Sequence, residues 1–273
     1  MKTVKKSDRP SVHILQKELL NPTNPIMVNL IGAGGTGSQI LTALGRMNCA
    51  LNALGHAGLS VRLFDDDTVS NANMGRQLFT TNEIGQNKSA CLINRINLFF
   101  GTNWKAVTEQ YSTGLIKQHT EYGMAAITIS CVDTVKARFE IEKVLTTSVK
   151  HSGYYLNTPC YWMDFGNNKD CGQVILSTVK SILQPASKKY KTTATLPAVT
   201  KEFKELIMQS EAKDHTPSCS LAEALHKQDL FINSSLANLG SSLLWQLLRE
   251  GMVFNRGFFM NLKDFRVQPL KVG

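Results

Sequence analysis

Met27-Val-Asn-Leu-Ile-Gly-Ala-Gly-Gly-Thr-Gly-Ser-Gln-Ile-Leu-Thr-Ala-Leu-Gly-Arg-Met47 decides the fold of this 273-residue chain. A short apolar run, 27–31, passes directly into Gly32-Ala-Gly-Gly-Thr-Gly37, and a helical spacing of apolar residues follows over 38–47. That order predicts a strand, a glycine turn and a helix. The glycines permit a tight turn and close approach of a phosphate, and the bare N–H groups opening the helix favour negative charge. A glycine turn that binds nothing is the weaker reading, because a strand and a helix flank it. NAD and ATP both suit such a loop, so the nucleotide stays open at this point.

The same rhythm continues in both directions. Upstream, Pro22 and Pro25 stop any helix, leaving residues 1–25 as a polar N-terminal arm with one short amphipathic stretch at 13–20. Downstream, Ser60-Val-Arg-Leu-Phe64 predicts a second strand ending in Asp65-Asp-Asp67, and 88–97 a helix. Ala125-Ala-Ile-Thr-Ile-Ser130 predicts a third strand, and 135–145 the helix after it. Strands alternating with helices define the α/β class: a Rossmann-like, mostly parallel sheet with helices on both faces. From about residue 154 the pattern changes. Residues 154–164 and 172–177 read as further strands, 230–249 as an amphipathic helix, and Phe258-Phe-Met-Asn-Leu-Lys-Asp-Phe-Arg-Val267 as one or two edge strands in a C-terminal antiparallel region. The expected organisation is the arm 1–25, a nucleotide-binding region 26–178, a long polar segment 179–220 with a short helix near 201–208, and 221–273 closing the same domain.

Composition excludes several classes. With 42% hydrophobic and 19% charged residues, the chain lies far from the disordered corner. No apolar run approaches the roughly 18 residues of a membrane span. The basic start leads into no apolar run of the secretory kind, so a cytoplasmic location and no membrane partner are expected. Six cysteines, none in a C-x-x-C pair, remove the basis for a zinc knuckle or a thioredoxin-type site. Thirty Lys and Arg against 21 Asp and Glu give a net charge of +9, which calls for an anionic partner. No helix-turn-helix, zinc-finger or aromatic-basic stripe accompanies it, so nucleic acid is not expected.

Residues 65–88 choose the nucleotide. Asp65-Asp-Asp-Thr-Val-Ser-Asn-Ala-Asn-Met-Gly-Arg-Gln77, then Ile84-Gly85 and Lys88, gather an acid, a carboxamide, a guanidinium and an ammonium. A dinucleotide oxidoreductase has no need of that set. Attack on the α-phosphate of ATP does, because charge builds on phosphate oxygens and on departing pyrophosphate. Asp133, beyond the third strand, stands where this fold exposes residues to the ligand crevice and where a carboxylate suits Mg²⁺.

These motifs together, G-x-G-G-x-G, D-x-D-x-V-x-x-x-N-x-x-R-Q, I-G-x-x-K and a strand-end C-V-D, resemble the ThiF/MoeB/ubiquitin-activating superfamily of adenylyltransferases. The resemblance covers about 26–178 well and the last helix and strands more loosely. Pro217-Ser-Cys-Ser-Leu-Ala-Glu-Ala-Leu and Gln228-Asp-Leu-Phe-Ile-Asn look most like ThiF-like proteins of PRTRC plasmid systems. The resemblance implies that Gly32, Gly34, Gly35 and Gly37 cradle phosphates and that Asp65 holds the ribose. It implies that Asn73, Arg76 and Lys88 bind and activate the triphosphate, and that Asp133 positions Mg²⁺. Thr134 stands where the family has asparagine, and the family's zinc cysteines have no counterpart.

It further implies a homodimer, with Arg9, the only arginine of the arm, completing a partner's site. The implied substrate is the C-terminal glycine carboxylate of a ubiquitin-like or sulfur-carrier protein, with 179–220 as the crossover loop and a conjugating protein downstream. Pro217-Ser-Cys219-Ser-Leu-Ala222 is similar to the signature around a thioester cysteine. Two readings stand for Cys219, an acyl acceptor and a structural thiol. Two rivals to the whole reading are an NAD(P)-dependent oxidoreductase and a non-catalytic nucleotide-binding scaffold.

Overall fold

The computed structural model describes residues 9–151, 157–211 and 228–273. The deciding stretch folds as β2 (Ile26–Ile31) followed by α2 (Gly35–Ala53), after a short β1 (Ser11–Ile14) and a four-residue α1 (Lys17–Leu20). The 13–20 stretch therefore divides between a strand and a helical turn. The chain continues through β3 (Leu59–Phe64), α3 (Lys88–Phe100), β4 (Lys105–Val107), α4 (Thr113–Gln118), β5 (Ile127–Ser130) and α5 (Val135–His151). Next come β6 (Tyr161–Asn167), β7 (Cys171–Thr178), β8 (Lys191–Thr192), α6 (Val199–Glu202) and α7 (Lys204–Glu211). The last elements are α8 (Ile232–Glu250), β9 (Met252–Val253), β10 (Asn255–Asn261) and β11 (Arg266–Lys271).

Eight strands make one sheet in the order β11-β10-β7-β6-β5-β2-β3-β4. The five from β4 to β6 run parallel, and β7, β10 and β11 continue it antiparallel. Val28 and Leu30 face a core shared with α2, α3 and α8. Ile31 and Phe64 join the opposite core under α4, α5, α6 and α7. Helices thus cover both faces, as a buried parallel sheet requires.

Three features differ from the sequence reading, two for local reasons and one through long-range pairing. The strand expected over 154–164 begins at Tyr161, because Pro159 has no N–H to donate and the carbonyl of Ala126 accepts from both Cys160 and Tyr161. The C-terminal alternation divides at a turn where Phe265 has φ +49. Of these two strands β11 lies at a sheet edge, while β10 is paired on both sides. The N-terminal strand is no loose arm: β1 pairs in parallel with β8 and antiparallel with β9 in a second, three-stranded sheet. No described helix is long and apolar enough to cross a membrane.

Candidate active site

β2 has β3 on one side and β5 on the other, so the chain leaves it in one direction and returns in the other. Beyond the carboxyl ends of such strands an open α/β sheet forms its ligand crevice. Here the crevice is a cavity of about 790 Å³ lined by Gly32, Gly34, Gly35, Asp65, Arg76, Lys88 and Asp133 among others, ample for a nucleotide. No side chain caps the N-terminus of α2, which leaves its first N–H groups for an anion. A β-carbon on Gly37 would overlap the Gly32 carbonyl oxygen, so this glycine shapes the loop from behind and does not line the cavity. One on Gly35 would lie 2.5 Å from Asn233 Nδ2, so Asn233 stands hard against the turn.

The end of β3 supplies the acids. Asp65 Oδ2 accepts from Ala33 N–H at 2.6 Å and Oδ1 from Asp67 N–H at 3.0 Å, which binds the acid to the glycine loop. Burial raises its pKa, opposed by the Ala33 N–H and the Lys88 charge. Lys88, the first residue of α3 and buried, donates to Asp67 Oδ2 at 2.7 Å. Arg76 Nη1 donates to Gln228 Oε1 at 2.5 Å, while Arg76 Nε is buried without a partner. Burial lowers the pKa of Arg76. Asn73 stands apart: it is not on the cavity wall, and its Oδ1 accepts from Ser70 N–H and Oγ to close a 3₁₀ turn.

Asp133 is exposed in the loop after β5. Beneath that loop Arg138 and Asp164 form a buried ion pair at 3.1 Å. Asp164 also accepts from Ser130 Oγ at 2.6 Å, and Arg138 Nη2 donates to the Val132 carbonyl at 2.8 Å. A charge pair so fully hydrogen-bonded inside the protein holds the loop backbone from below. Thr134 Oγ1 accepts from Ala137 N–H at 3.2 Å and so caps α5. Cys131 lies on the cavity wall against the Gly32 turn, its thiol pushed well up by burial. Burial likewise raises Cys160, to about 11, so neither thiol is disposed to act as a nucleophile. Arg9 lies outside the cavity and donates to the Ser187 carbonyl at 2.8 Å within its own chain. Cys219 lies outside the described residues.

The sequence reading passed over two partners in this cavity. Gln77, beside Arg76, is nine-tenths buried on the wall with Oε1 unpartnered. Asn233 of α8 accepts from Thr36 Oγ1 at 2.9 Å and from Asn167 Nδ2 at 3.2 Å, and donates to Gln228 at 3.0 Å. Gln77 had a signal in its motif, and Asn233 ends the Gln228-Asp-Leu-Phe-Ile-Asn stretch, but nothing local places that asparagine against the glycine turn. A second groove of about 330 Å³ opens from the first, sharing Val132, Asp133 and Asn167, and runs beneath Ile207 of α7.

A doubly wound α/β sheet with a glycine turn, strand-end acids and inward cations around one crevice defines the class of fold. The ThiF family pattern matches residues 12–249, and the chain belongs to that family. No curated protein matches the sequence. Among solved structures the chain is similar to PaaA, with 16% identity, a TM-score of 0.58 and coverage of 94% of this chain and 75% of PaaA. It is similar to E. coli MccB solved with ATP, at 13% identity and TM-score 0.55, covering 94% of this chain and 65% of MccB. MccB solved with MccA gives 14% identity and TM-score 0.58 over the same shares. The chain thus spans just under two thirds of MccB, and at these identities the likeness is one of fold.

Proposed function

We propose that this protein binds Mg-ATP and adenylates the C-terminal glycine carboxylate of a small ubiquitin-like or sulfur-carrier-like protein. One observation carries the reading: the uncapped α2 turn, Arg76, Lys88 and Asp133 converge on one cavity whose wall holds Arg76 Nε and Gln77 Oε1, buried and unpartnered. Buried polar atoms are costly when unpaired, so such a wall is built for a polar ligand. That E. coli MccB was solved with ATP and with MccA supports two partners sharing this fold. On sequence alone we take the chain as a PRTRC-type member.

In this reading the triphosphate lies against the α2 N-terminus and the ribose against Asp65. Lys88 and Arg76 exchange Asp67 and Gln228 for phosphate oxygens. The carboxylate oxygen attacks the α-phosphorus, the bond to the bridging oxygen breaks, and pyrophosphate leaves, giving an acyl adenylate. Asp133 would hold Mg²⁺, an ion for which one or two carboxylates suffice when phosphates are also present. Mg²⁺ supplies charge neutralisation on the phosphates. The Cys219 thiolate then attacks the acyl carbon, AMP leaves with the bonding pair, and a thioester forms for a downstream conjugating protein. In a homodimer the partner's Arg9, exchanging its Ser187 carbonyl for phosphate, completes the site, and the exposed Lys188, Lys189 and Lys191, together with Lys180, receive an acidic carrier surface.

ATP–pyrophosphate exchange with synthetic octapeptides ending in Gly-Gly tests the reading. Exchange falls about a hundredfold in Arg76→Ala and in Asp133→Ala. Equal exchange in wild type and Asp133→Ala removes the Mg²⁺ assignment. NAD binding without ATP binding replaces the reading with an oxidoreductase, and ATP binding without exchange replaces it with a scaffold.

A further inference from the structure

The groove beside the nucleotide cavity crosses the antiparallel end of the sheet. Register places Gly166 opposite Gln173, Gln173 opposite Phe259, and Phe259 opposite Gln268. One row further out, Cys171 faces Asn261 and Asn261 faces Arg266. Cross-strand partners project to the same face, so these residues of β6, β7, β10 and β11 form one continuous, largely polar floor, and all of them line the groove. α7 covers it from above through Ile207, and Phe203 stacks edge-on against Phe259 at 5.3 Å to hold that cover in place.

Charge is distributed unevenly along this floor. At the inner end is Asp133, shared with the nucleotide cavity. Arg138 is buried and already paired with Asp164. At the outer end Arg266 is exposed and pairs with no described carboxylate. The nearest acid in sequence, Asp264, accepts from Asn261 Nδ2 at 3.0 Å instead. The inner end follows β5, and four strand steps separate β5 from β11. At about 4.8 Å per step the distance is roughly 19 Å, which an extended peptide covers in about six residues.

We propose that this groove selects an extended polypeptide tail whose free C-terminal carboxylate lies at the nucleotide end and which carries an acidic side chain about six residues back, read by Arg266. The proposal rests on the adenylation reading for the direction of the tail. It makes Arg266 a specificity residue and names the substrate class by charge: a tail with an Asp or Glu near that position, in preference to a neutral or basic one.

The test uses the full chain and fluorescein-labelled octapeptides with a free C-terminal Gly-Gly, neutral except for one Glu, Gln or Lys scanned along the chain. Anisotropy titrations show the Glu peptide binding about fivefold tighter than the Lys peptide, the size of one solvent-facing ion pair. The optimum lies near the sixth residue from the carboxylate. Arg266→Gln abolishes the preference and Arg266→Glu inverts it, with unchanged thermal midpoints showing that the fold is intact. No preference, a preference that Arg266→Glu leaves in place, or no peptide binding overturns the proposal. Pyrophosphate exchange with the same peptides separates the two readings: charge-selective binding without exchange removes adenylation and keeps the groove, whereas exchange indifferent to charge keeps adenylation and removes the role of Arg266.

Discussion

Gln77 illustrates how one side chain divides packing from binding. Its Nε2 lies about 4.0 Å from where a β-carbon on Gly34 would stand, and its Oε1 finds no partner within the protein. In the adenylation reading a carboxamide this close to the glycine turn would donate through Nε2 to an anion, and such a bond contributes about 1.5 kcal/mol or more when the acceptor is charged. Gln77→Ala is therefore expected to weaken ATP binding roughly tenfold by isothermal titration, and Gln77→Glu to weaken it further through repulsion, with little change in thermal midpoint. Wild-type affinity in Gln77→Ala would reduce Gln77 to a packing residue. The R-Q pair was visible in the sequence, but only the fold shows that the glutamine enters the cavity. For Asn73 the fold shows the opposite, an oxygen consumed by its own turn.

At the scale of elements, the loop between β5 and α5 sets the site. Strand, loop and helix were readable from the apolar run at 125–130 and the pattern after it, because both signals are local and periodic. The departure at Thr134 is explained by capping: its hydroxyl accepts from Ala137 N–H, a bond that asparagine would make as well. Thr134→Ala should cost about 1 kcal/mol in urea unfolding, and Thr134→Asn almost nothing. A full loss in Thr134→Asn would show that the methyl group matters more than the cap. The cover over the second groove is held in a similar way, Glu202 of α6 being paired with the buried Arg256 of β10. That pair joins residues 54 apart, and nothing in either neighbourhood announced it.

Across the whole molecule, the first described strand pairs with segments some 180 and 240 residues further on. β1 lies between β8 and β9, with Val12 and His13 fully buried. His13 Nδ1 donates to the Thr193 carbonyl at 2.7 Å, Nε2 accepts from the Tyr161 hydroxyl at 3.0 Å, and that hydroxyl accepts from Gln16 N–H at 2.9 Å. Every atom of this set is satisfied by a neutral ring. Burial lowers the His13 pKa against the pull of the Thr193 carbonyl. The unfolded chain takes up a proton near pH 6.5 while the folded chain resists it, so the contribution of His13 is present above that pH and is lost as pH falls below it. Urea midpoints should fall between pH 7 and pH 5 in the wild type, and His13→Gln should flatten that limb. An unchanged slope in the variant would assign the acid sensitivity to other groups.

The strand, glycine turn and helix at 27–47, the acids ending β3 and the cations at 76 and 88 were determined by sequence alone, because each depends on spacing within a turn or a strand. So was the α/β class, since alternating periodicities admit few other packings. The three-stranded sheet was decided only by tertiary structure, because two of its strands have two residues each and carry no period to read. The same holds for the bond between Thr36 and Asn233, 197 residues apart, and for the groove floor assembled from β6, β7, β10 and β11. Contacts of that range depend on which elements the sheet order brings together, and local spacing does not encode that order.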